Sequence, residues 1–250
     1  ISAGPTWAAS TTCTSNGSVN CMHDSLNPLA GLTPLTGMWL NCVFGGVGVG
    51  LINMLIYLVI AVFLAGLMVG RTPEYLGKKV EAKETKLAAL ALLAHPILIL
   101  APLGLFAAAD WLDPSTNNPG AHGFSEGVYE FTSSSANNGS GFEGLGDTYG
   151  FNDKDKNPST PAPFSPHWDI ACGLVMLFAR FIPIIAPIAF AASLAGKKPT
   201  PFTSGTLRTD TITFGCVLLG TILLIGALMF LPVAALGPLA EHYGPLPFGR

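Results

Sequence analysis

Two short polar strings, Ser15-Asn16-Gly17-Ser18 and Asn137-Asn138-Gly139-Ser140, hold the residues whose types and spacing could do chemistry. Residues 124–136 precede the second string and are about half the length a helix needs to cross a bilayer. A short helix that dips into a membrane and returns through small, glycine-bearing residues forms a re-entrant loop. Backbone of that kind is tolerated at membrane depth only where it lines a cavity or is buried in protein. Its carbonyl oxygens can replace a cation's hydration shell, and glycine allows the backbone angles that aim them inward. The carbonyl end of the half-helix adds a partial negative charge. The Asn-Gly-Ser of residues 16–18 repeats that of residues 138–140, which hints at an internal repeat of helix, loop and helix. On the tripeptides alone, two polar surface turns remain open, and both strings also fit the Asn-x-Ser acceptor pattern.

Two further features belong to the same chemistry. Gly45-Gly46-Val47-Gly48-Val49-Gly50 lies inside an apolar stretch. One unbroken helix over residues 37–69 would be roughly 50 Å long, well beyond the hydrocarbon core. The glycines are expected to break it, as in transporters whose interrupted helices border the ion path; close helix packing through small residues is the alternative. Arg180 falls near the middle of a third apolar run. A cation there costs about 2.5–3.5 kcal/mol on insertion scales, so it is expected to face a water-filled cavity or a partner. Snorkelling is the competing reading.

The elements that must position these residues are membrane helices. Half the residues are hydrophobic and 11% are charged, and the mean hydropathy is +0.50. Residues 51–69, 87–109, 170–196 and approximately 211–239 are each long enough to span a bilayer of about 30 Å. Arg71, Lys78, Lys79, Lys83 and Lys86 fall between the first two runs, and Lys197, Lys198 and Arg208 between the last two. Positive-inside bias puts both links in the cytoplasm. The segment 110–169 carries Lys154 and Lys156 against nine acids and is expected outside, as are both ends of the chain. The net charge of −3 carries no sign of nucleic-acid binding. Ile1 is no initiator, so a fragment or a processed product is expected.

Other motifs fail. Asp153-Lys154-Asp155-Lys156-Asn157 begins like a calcium loop, but Pro158 replaces the needed glycine and Phe164 the bidentate glutamate. His95, before Pro96, reads as a packed neutral histidine. His23-Asp24-Ser25 has triad residue types in a spacing that cannot form one. The five cysteines show no C-x-x-C pair and suggest neither metal nor disulfide. No nucleotide or zinc-protease motif is present.

Seven strings, taken in order, carry a more specific resemblance. They are Met22-His23-Asp24-Ser25, Phe44-Gly45-Gly46-Val47-Gly48, residues 66–79, 117–126 and 136–142, residues 205–207 with Thr209, and residues 235–241. The chain resembles the C-terminal part of the potassium-binding subunits of potassium-transporting ATPases, the Kdp family known as KdpA. The resemblance implies an all-α polytopic membrane protein of four membrane–pore–membrane repeats with re-entrant pore loops, similar to Trk/Ktr potassium transporters. Residues 1–70 would end the third repeat, 71–86 form a cytoplasmic linker, and 87–196 form the fourth repeat. Residues 197–210 would be a second linker and 211–250 the last helix with an external tail. It further implies that Ser15, Asn16 and Gly17 lie in the third filter loop, and Asn137, Asn138, Gly139 and Ser140 in the fourth. Gly45, Gly46, Gly48 and Gly50 would fall on a gating loop, with Arg180 just below the filter.

The implied cargo is the potassium ion. The implied partners are a P-type ATPase subunit, which hydrolyses ATP, and small accessory subunits of the Kdp complex, in a bacterial or archaeal plasma (inner) membrane. Three departures from the family pattern stand out. Asn41 occupies a position usually held by glutamate, which puts gating by an ion pair with Arg180 in doubt. Asn16 replaces a smaller or sulfur-bearing residue, and residues 146–166 form a longer and more charged outer segment. Two filter loops cannot make a fourfold pore, so this length of chain is not expected to conduct by itself. An independent Trk/Ktr-like channel formed by dimerisation, or a membrane enzyme using His95 or His23, are the other classes.

Overall fold

The computed structural model describes residues 2–42, 44–143, 145–146, 166–201 and 206–244. The calcium-loop-like stretch 153–164 lies outside these residues. Helix α1 (Ala3–Cys13) leads through a loop and a 3-10 turn (His23–Ser25) to α2 (Pro28–Leu40) and α3 (Val49–Val69). A two-residue hairpin, β1 (Glu74–Tyr75) with β2 (Lys78–Lys79), precedes α4 (Ala82–Ala108). A second 3-10 turn (Asp113–Ser115), α5 (Gly120–Ala136), α6 (His167–Ala195) and α7 (Ile212–Ala234) follow. A π turn (Ala235–Leu239) then leads into the short α8 (Ala240–Tyr243).

Four helices are long and apolar enough to cross a membrane: Val49–Val69, Ala82–Ala108, His167–Ala195 and Ile212–Tyr243, the last running through α7 to α8. Each overlaps an expected span, and α4 starts five residues earlier than its apolar run suggested. A reciprocal capping box explains the early start, because Glu81 and Glu84 satisfy each other's backbone ends. Much of the surface of these helices is exposed apolar side chain, such as Leu67, Met68, Ile185, Ile188, Leu224 and Leu228. That is the surface expected of lipid-facing helices.

Helix α5 behaves differently. It starts four residues before the expected 124, which brings it to 17 residues, the lower limit of a span, and most of it is buried, including Ser125, Glu126, Thr132, Ser133, Ser134 and Ser135. It is wedged among α2, α4, α6 and the π turn. Phe106 on α4 packs edge-on to Phe131 at 5.2 Å, and Trp168 on α6 closes the same cluster at 4.5 Å from Phe106. Trp168 donates its indole N–H to Ser115 Oγ at 2.8 Å. Trp39 on α2 stacks on Phe230 of α7 at 5.0 Å and donates to Thr132 Oγ1 of α5 at 3.1 Å. Buried polar side chains are thus densest on the short helix, where protein rather than lipid surrounds them.

The apolar run 37–69 is broken as expected. Helix α2 ends at Leu40, Asn41 takes the left-handed conformation (φ 41°), and α3 begins at Val49. A Cβ on Gly45 would lie 2.2 Å from Gly50 Cα, so the chain pinches together at a point where no side chain fits. Close packing and the break are therefore one feature rather than alternatives.

The basic links come together at one end of the bundle. The β1–β2 turn uses Leu76 and Gly77, both at positive φ, the pattern of a type I′ hairpin. Lys78 Nζ donates to Leu194 O (2.8 Å) and Ala195 O (3.1 Å), carbonyls in the last turn of α6. Lys197 pairs with the fully buried Glu84 at 2.7 Å and with Glu81 at 3.0 Å. This small hairpin, which residue patterning did not reveal, and the isolated bridges Thr72–Thr206 and Thr116–Leu145 are the departures from an all-helical fold among the described residues.

Candidate functional site: two facing glycine loops

The loops after α1 and α5 are built the same way. Ser15 and Asn137 sit at φ 53° and 51°, and Gly17 and Gly139 at φ 82° and 98°. Asn16 N–H donates to Thr11 O (3.0 Å), and Asn138 N–H donates to Ser133 O (2.9 Å). Each asparagine then folds its side chain forward, so that Ser18 N–H donates to Asn16 Oδ1 at 3.0 Å and Ser140 N–H to Asn138 Oδ1 at 3.2 Å. The serine hydroxyls donate to the same oxygens. One aromatic from each preceding helix braces the loop: Trp7 Nε1–H donates to Ser18 O (3.0 Å), and Tyr129 OH bonds Ser140 Oγ (2.9 Å). The three-residue likeness in sequence is therefore a shared loop geometry.

The loops also touch. Asn138 Nδ2 donates across to Thr11 O at 2.8 Å within a buried contact. A Cβ on Gly17 would lie 2.0 Å from Asn138 O, so Gly17 is required by close approach as well as by its positive φ. Asn138 is 5% exposed, whereas Asn16 is exposed and its amide nitrogen has no hydrogen-bond partner among the described residues. The contact is thus head-to-tail: the second loop reaches the first, and the first presents the same group outward.

Below the loops is a cavity of about 540 Å³, lined on its polar side by Ser15, Asn41, Asn53, His95, Asn137 and Arg180. Gly46 lines it too, and a Cβ there would meet Ser15 Cβ at 3.1 Å. Gly48 adopts φ 80° in open space, so its role is conformational. Arg180 faces this cavity without a hydrogen bond or ion pair to any described residue. Asn41 is bonded elsewhere, accepting from Ser15 Oγ–H at 3.2 Å. Every residue expected at the filter or along the ion path thus lies in the paired loops, in the break, or on the cavity wall.

His95 proves to be a strut. Its Nε2 bonds Met38 O at 3.1 Å and its Nδ1 bonds Ser135 Oγ at 2.8 Å. A carbonyl can only accept, so Nε2 carries the proton, and Nδ1 of the neutral ring accepts from the serine. His23 is buried behind the second loop with Nδ1 2.9 Å from Tyr129 OH.

A charged cluster at the loop end of the bundle was not anticipated. His122 Nε2 lies 2.6 Å from Asp24 Oδ1, and its Nδ1 lies 2.6 Å from Glu241 Oε1. Glu126, one turn along, accepts from Asn117 N (2.9 Å), Asn118 N (3.2 Å) and Asn118 Nδ2 (2.8 Å). Burial works against a charged imidazole, but the hydrogen bonds and charges of Asp24 and Glu241 outweigh it and raise the His122 pKa to about 10. Burial, with Asp24's charge added, pushes the Glu126 carboxyl up. The imidazolium ties the 3-10 turn beside the first loop to α5 and to α8. A histidine and a glutamate four apart on one helix face were the available signal; their partners are remote in sequence.

Residues 1–243 match the family model described as "KdpA: Potassium-transporting ATPase A subunit". The "Potassium-transporting ATPase potassium-binding subunit" of Geobacillus kaustophilus is 54% identical over 236 residues, covering 94% of this chain and 39% of the relative. The protein of the same description from Flavobacterium johnsoniae is 50% identical over 249 residues, covering 95% of this chain and 41% of the relative. The chain therefore spans about two-fifths of the length of the curated relatives it matches. With the family model matching almost end to end, the chain belongs to the KdpA family of potassium-transporting ATPases.

Proposed function

We propose that this chain supplies two of the filter loops, and part of the intramembrane ion path, of the potassium-binding subunit of an ATP-driven potassium pump. The observation that carries the reading is the head-to-tail contact of two loops of one geometry, in which Asn138 bonds Thr11 O at the end of α1 and its own carbonyl lies against Gly17. A heterologous contact of this kind propagates around a ring when further loops repeat it. In that ring the carbonyls after α1 and α5 face a dehydrated cation, with the negative ends of two half-helices behind them. Residues 1–70 then close one membrane–pore–membrane repeat and 87–196 form the next. The links 71–86 and 197–210 lie in the cytoplasm, residues 211–250 form the last helix and its tail, and both ends of the chain lie outside. The full subunit sits in a bacterial plasma membrane, takes potassium as cargo, and passes it to a P-type ATPase partner with small accessory subunits alongside. ATP hydrolysis belongs to that partner.

Restoring the rest of the subunit, purifying what associates with it and measuring potassium-stimulated ATP hydrolysis tests this reading. Potassium-dependent turnover in an associated ATPase is the expected result. A stable, ion-conducting assembly of this protein with no ATPase overturns the pump reading in favour of an independent channel.

A further inference from the structure

The end of α2 is held by side chains from three other parts of the molecule. Asn41 adopts φ 41°, ψ 31°, and its N–H donates to Gly37 O at 3.1 Å, closing the helix. Its carbonyl then points away from α2 and accepts from Asn53 Nδ2 of α3 at 2.9 Å. Its side-chain oxygen accepts from Ser15 Oγ–H at 3.2 Å. One turn back, Met38 O is held by His95, whose other nitrogen holds Ser135 at the end of α5. The start of the break is therefore tied to the first glycine loop directly, and to the helix that feeds the second loop through His95.

A second contact joins the same two segments. Gly46, inside the break, lies against Ser15, where a Cβ would meet Ser15 Cβ at 3.1 Å, closer than an ordinary contact. Ser15 is itself in the left-handed conformation (φ 53°) and begins the first loop. If the segment between Leu40 and Val49 swings, Gly46 and Asn41 leave Ser15 together. Ser15 then loses the bond and the packing that hold it at positive φ, and the carbonyls that follow it lose their direction. Arg180, which lines the same cavity, makes no bond to the described residues of the segment and is no part of the tie.

From this geometry we infer that Asn41 is a positioning residue that latches the helix break to the first glycine loop. The position of the break and the ion-binding geometry of the loop then bias each other, and linkage makes that bias reciprocal. Ion occupancy that holds the loop in its bound shape holds the break in place, and displacement of the break weakens ion binding. The latch rests on the filter reading above.

The test uses the full-length subunit in complex with its ATPase, with Asn41→Gly, Ser15→Ala and the double variant compared. Glycine accepts the left-handed conformation, so Asn41→Gly keeps the helix end and removes only the amide. Each single variant is expected to raise the potassium concentration for half-maximal ATP hydrolysis by about three- to tenfold, the scale of one hydrogen bond. The fractional fall in saturating rate is expected to be smaller than that shift, because binding geometry rather than turnover is lost. The double variant should match the worse single variant, since both remove the same bond.

Effects that multiply, or half-saturation unchanged by Ser15→Ala, overturn the latch. The second criterion applies even where Asn41→Gly fails to assemble. A wild-type complex whose ATP hydrolysis ignores potassium overturns the filter reading and the latch with it. A potassium-dependent wild type with independent variants overturns the latch alone.

Discussion

The two glycine loops share residues, dihedral pattern and internal hydrogen bonds, yet one is enclosed and the other open. Asn138 is buried where its amide reaches Thr11 O in the last turn of α1, the helix that feeds the neighbouring loop. Asn16 occupies the corresponding place and is exposed, its amide nitrogen bonded to no described residue. The loops differ in neighbours rather than in design, and on the proposed filter reading a further loop would dock on the open one. An isolated polar turn would have no reason to copy this arrangement.

Changes at the two glycines should separate the loops most strongly. Gly17→Ala meets both an unfavourable φ and a collision with Asn138 O, whereas Gly139→Ala meets only the unfavourable φ. Gly17→Ala is expected to abolish potassium-dependent ATP hydrolysis by the full-length complex. Gly139→Ala should weaken it, at a backbone cost on the order of 1–2 kcal/mol. Equal effects would remove the close approach of the loops from the account.

Next come the asparagines. Asn138→Ala removes its bond to Thr11 O, which keeps Asn16 N–H as a partner, so the expected cost is that of one hydrogen bond, about 0.5–1.5 kcal/mol. In the full-length protein Asn16→Ala should lower thermal stability by a similar amount, because its amide then has a loop to reach. A silent Asn16→Ala alongside a destabilising Asn138→Ala would mean that the head-to-tail contact does not propagate.

A smaller, pH-dependent effect is expected at His122. Its pKa is raised from the ordinary 6.5 to about 10. Its stabilising contribution is therefore fully present below about pH 6.5 and is lost progressively as pH rises to about 10. Melting curves of the wild type and His122→Gln should be furthest apart near pH 6 and converge toward pH 10. A gap that stays constant with pH would show that the cation contributes nothing. The smallest effect belongs to the basic end, where Arg208 and Asp210 form an exposed pair at 2.9 Å. Arg208→Ala should leave the melting temperature unchanged, since such pairs are screened by solvent.

Much of this arrangement was legible in the residues. Apolar length alone located the four candidate spans, because nothing else in such a chain accounts for runs of that size. That the run breaks was legible because an unbroken helix would overshoot the bilayer, but the glycines put the break at 45–50, whereas α2 already ends at Leu40 on the left-handed Asn41. Helix α4 was read short because Lys83, Glu84 and Lys86 interrupt the apolar pattern, although Glu84 is buried by Lys197 and Ser193. The link from Asn138 to Thr11 O was not legible, because a backbone carbonyl leaves no mark in sequence. The same limit hid the His122 cluster, whose members come from three strings far apart in the chain. Asn41 stood out as an unusual residue, but its partners Ser15 and Asn53 became visible only when the loops were brought together.

The most direct test of the central claim is the position of a heavy potassium surrogate, rubidium or thallium, located by its anomalous scattering in the full-length complex. The account predicts an ion held between the two loops, against the backbone carbonyls of residues 15–17 and 137–139. An ion bound elsewhere, with the space between these loops empty while potassium-dependent hydrolysis is intact, would contradict it.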